Sequence, residues 1–387
     1  MISTPGLQII RLSSAAQLAP WRNEWNALAG DVVFRTFDWL ECWWRSYATS
    51  KDQQLLVLAV LDPQGRLAGV APWYVDRASH DRSVIRFLGS GEVCSDYLTI
   101  LCRPGFEDQV PQCLAYWLCE TSADEGPDAL SWEMLELRGV DAGDAIVTRL
   151  TEYLAAGGNL VYERNRASCW RVHLPDCWAD YLAMLSKSHR KQIRRLERTY
   201  FASGRARLHT VEHGDELARG LELLTRLHQR RRESLGERGC FASPRFAAFH
   251  AETAERLLQS GKLRLTWLEV DGQPVAVEYQ VLGGEIVYAY QSGIEPSALN
   301  HQPGKLITLA TLQQALGEGR QAFDFLRGDE LYKAHWRAQP RPTRDIHILR
   351  NRLSARLRHH LWLAGGNVKN WLKRSLHRTP AAPRSPG

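Results

Sequence analysis

The sequence contains no Cys-x-x-Cys pair and no cysteine–histidine grouping at zinc-ligand spacing. Its eight cysteines stand apart, at 42, 94, 102, 113, 119, 169, 177 and 240. They read as small buried hydrophobes or free thiols, and no metal is expected. No run of about eighteen apolar residues occurs, so no membrane-spanning helix is expected. The stretch MISTPGLQIIRLSS lacks the basic-then-apolar order of a secretory leader, and the expected compartment is the cytoplasm. A Gly-x-Ser-x-Gly elbow, a P-loop and a dinucleotide fingerprint are all missing, so serine-hydrolase, NTPase and dehydrogenase readings fall away. A pervasive charge of one sign is missing too. The net +6 comes from 49 basic and 43 acidic residues, yet eleven of the basic ones and a single acid, Asp345, follow Pro340. Before that point 38 basic residues face 42 acidic ones. A basic tail on a slightly acidic body suits contact with an anionic surface or partner, not a nucleic-acid groove along the whole molecule.

What is present is a chain of 387 residues, 44% hydrophobic and 24% charged, a soluble globular composition with room for two domains. Fourteen tryptophans supply either a well-filled core or platforms for stacking on sugars. LQIIRL (7–12) reads as an edge strand, and Leu18, Trp21, Trp25 and Leu28 mark a short amphipathic helix. A second helix follows at 36–47. QLLVLAVLD (54–62) and RLAGVAPWYVD (66–76) form a hairpin across Asp62-Pro63-Gln64-Gly65. Strands at 83–91 and 96–101, a helix at 106–121, a strand at 132–139, a helix at 143–156 and a strand at 159–164 complete the first half.

The second half opens with a strand at 169–175 and a long helix over 180–204 whose middle, Lys187 to Arg195, is densely basic. A helix over 214–236 sets Leu217, Leu221, Leu224 and His228 on one face, for packing on a sheet. Another spans 243–261, with Ser243 as cap and Pro244 in its first turn. The most ordered stretch is 262–338. KLRLTWLEV, PVAVEYQVL and EIVYAYQSG alternate with period two around Asp271-Gly272 and Gly283-Gly284, an antiparallel meander. It turns Leu263, Leu265 and Trp267 to one face, and likewise Val275, Val277, Tyr279 and Val281. A helix follows over 305–319, with Leu306, Leu309, Leu312 and Leu316 at helical spacing. QAFDFL (321–326) then returns parallel to its neighbour, and a short helix closes the block at 327–336.

This order, three antiparallel strands, a helix opened by a glycine loop and a returning parallel strand, resembles the core of the GNAT acyltransferase superfamily. The words VYAYQSGIEP (287–296), QPGKL (302–306) and FDFLRGDELYKAHW (323–336) are similar to the CelD-like subgroup, named from bacterial cellulose and polysaccharide biosynthesis clusters. That subgroup is distantly similar to the Fem-type peptidoglycan aminoacyl ligases. APWY (71–74) and FLGSGEVCSDYL (87–98) extend the similarity into the first half. The resemblance implies an α/β fold with a mixed sheet, built as two tandem GNAT-like domains sharing a cleft. The expected divisions are 1–165, 166–350, a basic amphipathic helix at 351–378 and a disordered tail at 379–387.

Acyl transfer from a thioester to an amine needs a seat for pyrophosphate, donors for the carbonyl oxygen and a path for a proton. A helix start offers backbone N–H groups and a favourable dipole to an anion. Gln302, Gly304 and Lys305 open the 305–319 helix and keep part of the superfamily's Arg/Gln-x-x-Gly-x-Gly/Ala pattern. They read as the seat for coenzyme A or as a plain helix cap. The resemblance puts the carbonyl donors in the backbone of the preceding strand, around Tyr288 to Gln291. Three candidates carry protons. Glu278 sits in an apolar strand, facing with Ala276 and Gln280, as a base or an ordinary solvent-facing acid. Asp324 lies near the end of the parallel strand, where ligands gather in open α/β sheets. Tyr332 can reprotonate a leaving thiolate. Lys333 and Asp96 are candidates for substrate binding, as are Arg190 and Arg194, which either face solvent or grip phosphates of a nucleotide-sugar, a lipid or a tRNA.

Together these features predict an N-acyltransferase that moves an acyl group, acetyl foremost, from acyl-CoA to an amino group on a sugar or envelope precursor, without a metal. Two other readings stay open. One is a Fem-like transferase fed by aminoacyl-tRNA. The other is a non-catalytic polysaccharide-assembly protein docked on the inner face of the membrane by 351–376.

Overall fold

Alternation and turn chemistry turn the extended runs into strands of one mixed sheet. The computed structural model describes residues 3–4, 6–79, 82–120 and 132–350. The expected basic helix and tail after 350 lie outside the described residues. In the first half the elements are β1 (Ser3–Thr4), β2 (Leu7–Leu12), α1 (Ala15–Leu18), α2 (Arg22–Ala29), α3 (Phe37–Tyr47), β3 (Gln53–Leu61), β4 (Leu67–Ser79), β5 (Arg82–Phe87), β6 (Leu101–Cys102), α4 (Gln109–Glu120), β7 (Met134–Asp141), α5 (Ala145–Ala156) and β8 (Leu160–His173). In the second they are α6 (Trp178–Met184), α7 (Lys187–Leu196), β9 (Ala206–Thr210), α8 (Gly214–Glu233), α9 (Pro244–Gln259), β10 (Leu263–Val270), β11 (Gln273–Leu282), β12 (Ile286–Ile294), α10 (Pro303–Gly317), β13 (Ala322–Arg327), α11 (Tyr332–His335) and β14 (Gln339–Leu349). Among the described residues no helix is long and apolar enough to cross a membrane.

The sheet runs β1-β2-β3-β4-β5-β7-β14-β8-β13-β12-β11-β10-β9, with β6 beside β4. The two halves follow a similar plan: a strand, helices (three in the first half, two in the second), three antiparallel strands, a helix, a parallel strand, a helix and a long last strand, with β6 added in the first half. β5 and β7 are the parallel pair of the first half, β12 and β13 that of the second. The last strands are exchanged. β14, from the second half, lies against β7, while β8, from the first, lies against β13. β14 and β8 also pair with each other, from Gln339 opposite Arg171 to Leu349 opposite Leu160. Asp345 sits buried in this seam, accepting from the Gly139 N–H at 3.0 Å and pairing with Arg164 and Arg166 at 3.3 Å.

Two apolar clusters cover the faces of the second half. Leu223, Leu224 and Leu227 of α8 pack with Val277, Tyr279 and Val281 on one side. Leu306, Leu309 and Leu312 of α10 pack with Ala276 and Val287 on the other. Caps follow the sequence: Ser243 Oγ accepts from the Phe246 N–H at 3.4 Å at the start of α9.

Four local expectations change. The helix expected over 180–204 breaks at Leu185, which is extended, because the Ser186 hydroxyl accepts from the His189 N–H and starts α7 afresh. The strands expected at 159–164 and 169–175 are one continuous β8, since β14 pairs along its whole length. Of the strand expected over 96–101 only Leu101 pairs in the sheet, together with Cys102 just past it; Tyr97 takes φ 62° and its neighbours turn toward β13. Val275 leaves its expected face. A register shift puts Leu268 opposite Ala276 but Glu269 opposite Pro274, so Val275 is an extra residue and joins the α10 side.

Candidate active site

The cleft originates in a mismatch between three strands. β11 and β12 pair Tyr279 with Gln291 but Gln280 with Ala289, which leaves Tyr290 as a bulge in β12. β12 and β13 pair only over Ile286–Tyr288 and Ala322–Asp324. Past that point β12 bends away and the parallel strands part. The opening is a cleft of about 930 Å³ that runs through the sheet. Ala289 to Ile294 of β12 form one wall and Phe325 to Gly328 the other. On one face of the sheet it reaches the start of α10, at Gly304 and Lys305, and on the other the exit of α8.

At the start of α10, Gln302 adopts the left-handed conformation, φ 56° and ψ 51°, and its carbonyl accepts from the Lys305 and Leu306 N–H groups. Pro303 has no N–H to leave orphaned. The Gly304 N–H has no partner among the described residues, and a Cβ on Gly304 would meet nothing within 4 Å. Gly304 and Lys305 therefore face open space at a helix N-terminus, where a partial positive charge and free amide favour an anion. The Gln302 side chain does not line the cleft. Its Oε1 accepts from Gln192 Nε2 at 2.7 Å and from Lys305 Nζ at 3.4 Å, tying α7 to α10. Gln291 lies on the splayed part of β12, in the cleft wall.

Glu278 also reaches the cleft, from β11 on the α10 side. It is 5% exposed and accepts from Gln280 Nε2 at 3.0 Å. Burial pushes its carboxyl up to about 7, against the opposing pull of Gln280, Arg264 and Thr311. It is thus poised to exchange a proton near neutral pH. Tyr332 lines the same cleft, half exposed, with its ring edge-on to Phe325.

Asp324 is elsewhere. It is fully buried behind the cleft, accepting from the Tyr97 hydroxyl at 2.6 Å, Arg171 Nε at 2.8 Å and the Leu326 N–H at 2.8 Å. Burial raises its carboxyl while Arg171 and Tyr97 lower it. Asp96 lines the cleft and accepts from the backbone N–H of Arg327 at 3.1 Å and from its Nε at 2.8 Å. The Asp96-Tyr97 pair of the first half therefore braces the end of β13 in the second. Lys333 is buried with its Nζ donating to the carbonyls of Leu326, Arg327 and Gly328, at 2.9–3.1 Å, and pairing with Glu330. Its ammonium staples the loop after β13. Arg190 and Arg194 do not line the cleft. α7 turns Ser188, His189 and Gln192 toward it, and helical spacing puts the two arginines on another side.

The sequence reading missed the wall formed by α8. His228, Arg231, Arg232 and Leu235 recur at i, i+3, i+4 and i+7 and all line the cleft. That spacing was visible, but His228 read as the end of an apolar packing face. His228 Nδ1 donates to the Ser292 carbonyl at 2.9 Å, which leaves Nε2 to accept from the Cys240 thiol at 3.2 Å. Burial lowers the histidine and pushes the Cys240 thiol up to about 11, so both are neutral at pH 7. Gly293 permits this contact: a Cβ there would lie 2.4 Å from the His228 backbone nitrogen.

Residues 187–334 match the acetyltransferase (GNAT) domain family. No curated protein matches the chain. Among solved structures, FemX is similar in fold, with a TM-score of 0.61 at 10% identity over 90% of this chain and 99% of its own. A conserved protein of unknown function from Bacteroides thetaiotaomicron gives 0.58 at 13% identity, over 88% of this chain and 100% of its own. The C-terminal domain of a putative lysylphosphatidylglycerol synthetase from Agrobacterium fabrum gives 0.50 at 11%, over 88% and 96%.

Proposed function

We propose that this chain, which carries a GNAT acetyltransferase domain at residues 187–334, is an N-acyltransferase that moves an acyl group from acyl-CoA to an amine. Acetyl is the expected acyl group, and an amino sugar or another envelope or polysaccharide precursor the expected acceptor, as the similarity to CelD-like proteins suggests. The observation that carries the reading is the parting of β12 from β13 at the Tyr290 bulge, beside an open helix start at Gly304. An extended thioester arm fits along the backbone edge that β12 no longer shares with β13. Its pyrophosphate meets the Gly304 N–H and Lys305. In this reading backbone N–H groups near the bulge receive the carbonyl oxygen as it gains charge.

Glu278, ionised above about pH 7, takes the proton from the incoming amine, directly or through one water. The amine nitrogen attacks the thioester carbon, and the carbon–sulfur bond breaks as the tetrahedral intermediate collapses. Tyr332 returns a proton to the departing thiolate. No covalent bond to the protein is needed.

A second reading has one observation in its favour. Lys187, Arg190, Lys191, Arg194, Arg195 and Arg198 make no ion pair among the described residues, and α7 that carries most of them adjoins the start of α10. A polyanionic donor such as aminoacyl-tRNA would engage such a face.

The deciding experiment is isothermal titration with acetyl-CoA, wild type beside Gly304→Trp. A Cβ at Gly304 meets nothing within 4 Å, so the new side chain starts into open space, and the circular dichroism of the variant checks that it folds. Micromolar binding that the variant loses supports the acyl-CoA reading. No heat at high protein concentration overturns it. Activity that requires RNA and falls steeply with salt would then favour the tRNA reading.

A further inference from the structure

We propose that the exit of α8 is an acceptor site, and that Arg231 in it binds an anionic group, phosphate or carboxylate, carried by the amine substrate. The proposal rests on the acyltransferase reading and names the substrate class for the same cleft. α8 and α10 lie on opposite faces of the sheet, against separate apolar clusters. The cleft passes between them, so a donor seated at Gly304 and Lys305 leaves the α8 mouth to the amine. Attack on the thioester carbon from the side the donor does not fill requires this arrangement.

The chemistry of that mouth is uneven. Three arginines follow one another at the end of α8. Arg230 pairs with Glu295 at 2.9 Å, and Arg232 pairs with Glu237 at 2.6 Å. Arg231, between them, pairs with no acid among the described residues, yet it is only partly exposed and lines the cleft. Basic residues favour a helix C-terminus, and Arg230 and Arg232 already meet that preference. Elsewhere in the cleft lining Asp96 is held by Arg327, and Glu330 pairs with Lys333. His228 beside it is neutral and fixed at both nitrogens by Ser292 and Cys240. What remains is one unused planar guanidinium, suited to two-point binding of an oxyanion. Leu235, 52% exposed, adds apolar surface one turn farther on.

The site is also built rather than incidental. Gly293 lets α8 press against β12 at His228, which fixes where the following turn sits.

The test compares glucosamine, glucosamine 6-phosphate and muramic acid as ligands in titration and as acceptors with acetyl-CoA. It uses the wild type, Arg231→Gln, Arg231→Lys and Lys305→Gln. The expected result is that an anionic probe binds the wild type about tenfold or more tightly than glucosamine. Arg231→Gln loses that preference and Arg231→Lys recovers part of it. Lys305→Gln keeps the preference, because its charge serves the donor end. The phosphorylated and carboxylated probes separate the two anions. Equal binding of charged and neutral probes overturns the proposal. A preference that survives Arg231→Gln and disappears in Lys305→Gln overturns it as well. Failure of acetyl-CoA to bind, with the Arg231-dependent preference intact, would strike at the donor assignment alone.

Discussion

Glu278 and Asp324 are both buried carboxylates of the same sheet, and their neighbours give them opposite roles. Asp324 has three donors and does not line the cleft. Glu278 has one amide donor at hydrogen-bond distance and a cleft beside it. Its carboxyl, raised to about 7 by burial, makes two measurements informative. Above that pH it ionises and can act as a base. Glu278→Gln should lower kcat about a hundredfold or more and remove the limb of the rate profile that rises through pH 7. Stability should move the other way. A carboxyl whose folded value exceeds its unfolded one stabilises the fold fully at low pH. That contribution is lost as pH rises from the unfolded value through about 7. Thermal unfolding at pH 4 and pH 8 should therefore show Glu278→Gln gaining on the wild type by up to about 3 kcal/mol at the higher pH. The facing of Glu278 with Ala276 and Gln280 was legible, because a strand alternates. The partners of Asp324 were not. Tyr97 is remote in sequence, and no periodicity links it to β13. The partners of Lys333, which also lines the cleft, were hidden for a similar reason: three backbone carbonyls that enclose its ammonium belong to a turn whose path only the folded chain defines.

At the level of elements, strands and helices were mostly legible and their irregularities were not. The meander, α9 with its serine cap and α10 follow from period, turn residues and caps. The Val275 and Tyr290 bulges do not, because one extra residue on one strand leaves the alternation of the neighbouring run almost intact. These departures shape the site more than the regular parts do. Close approach of α8 to β12 belongs with them. It needs a glycine at 293, since any side chain would run into the backbone of Leu227 and His228. Gly293→Ala should cost about 1–3 kcal/mol in urea denaturation, by forcing the helix outward. It should also disturb the His228–Cys240 contact, so that Cys240 reacts faster with a thiol reagent. Unchanged stability and thiol reactivity would refute the role given to this packing. The break between α6 and α7 was legible in retrospect from Ser186, whose capping side chain outweighs the helical pattern on both sides.

For the whole molecule, similar order of elements in the two halves could be read from the sequence, and their exchange could not. No local pattern shows that β14 will lie beside β7 rather than complete its own half. Division at 165/166 falls inside β8. Residues 166–350 alone would retain β14 without β7, and β8 without its first part. Expressed separately, 1–165 and 166–350 should be insoluble or unfolded, with open strand edges. Expressed together they should recover a complex with the circular dichroism and acetyl-CoA binding of the intact chain. A 166–350 fragment that folds cooperatively on its own would contradict this. The exchange also bears on synthesis. Strand β7 leaves the ribosome long before β14 exists, so one edge of its sheet waits unpaired while the entire second half is made. Closure of the earlier half is thus timed by the later one, and a chain stalled before residue 339 would be left with that edge bare, marked for a chaperone or a protease.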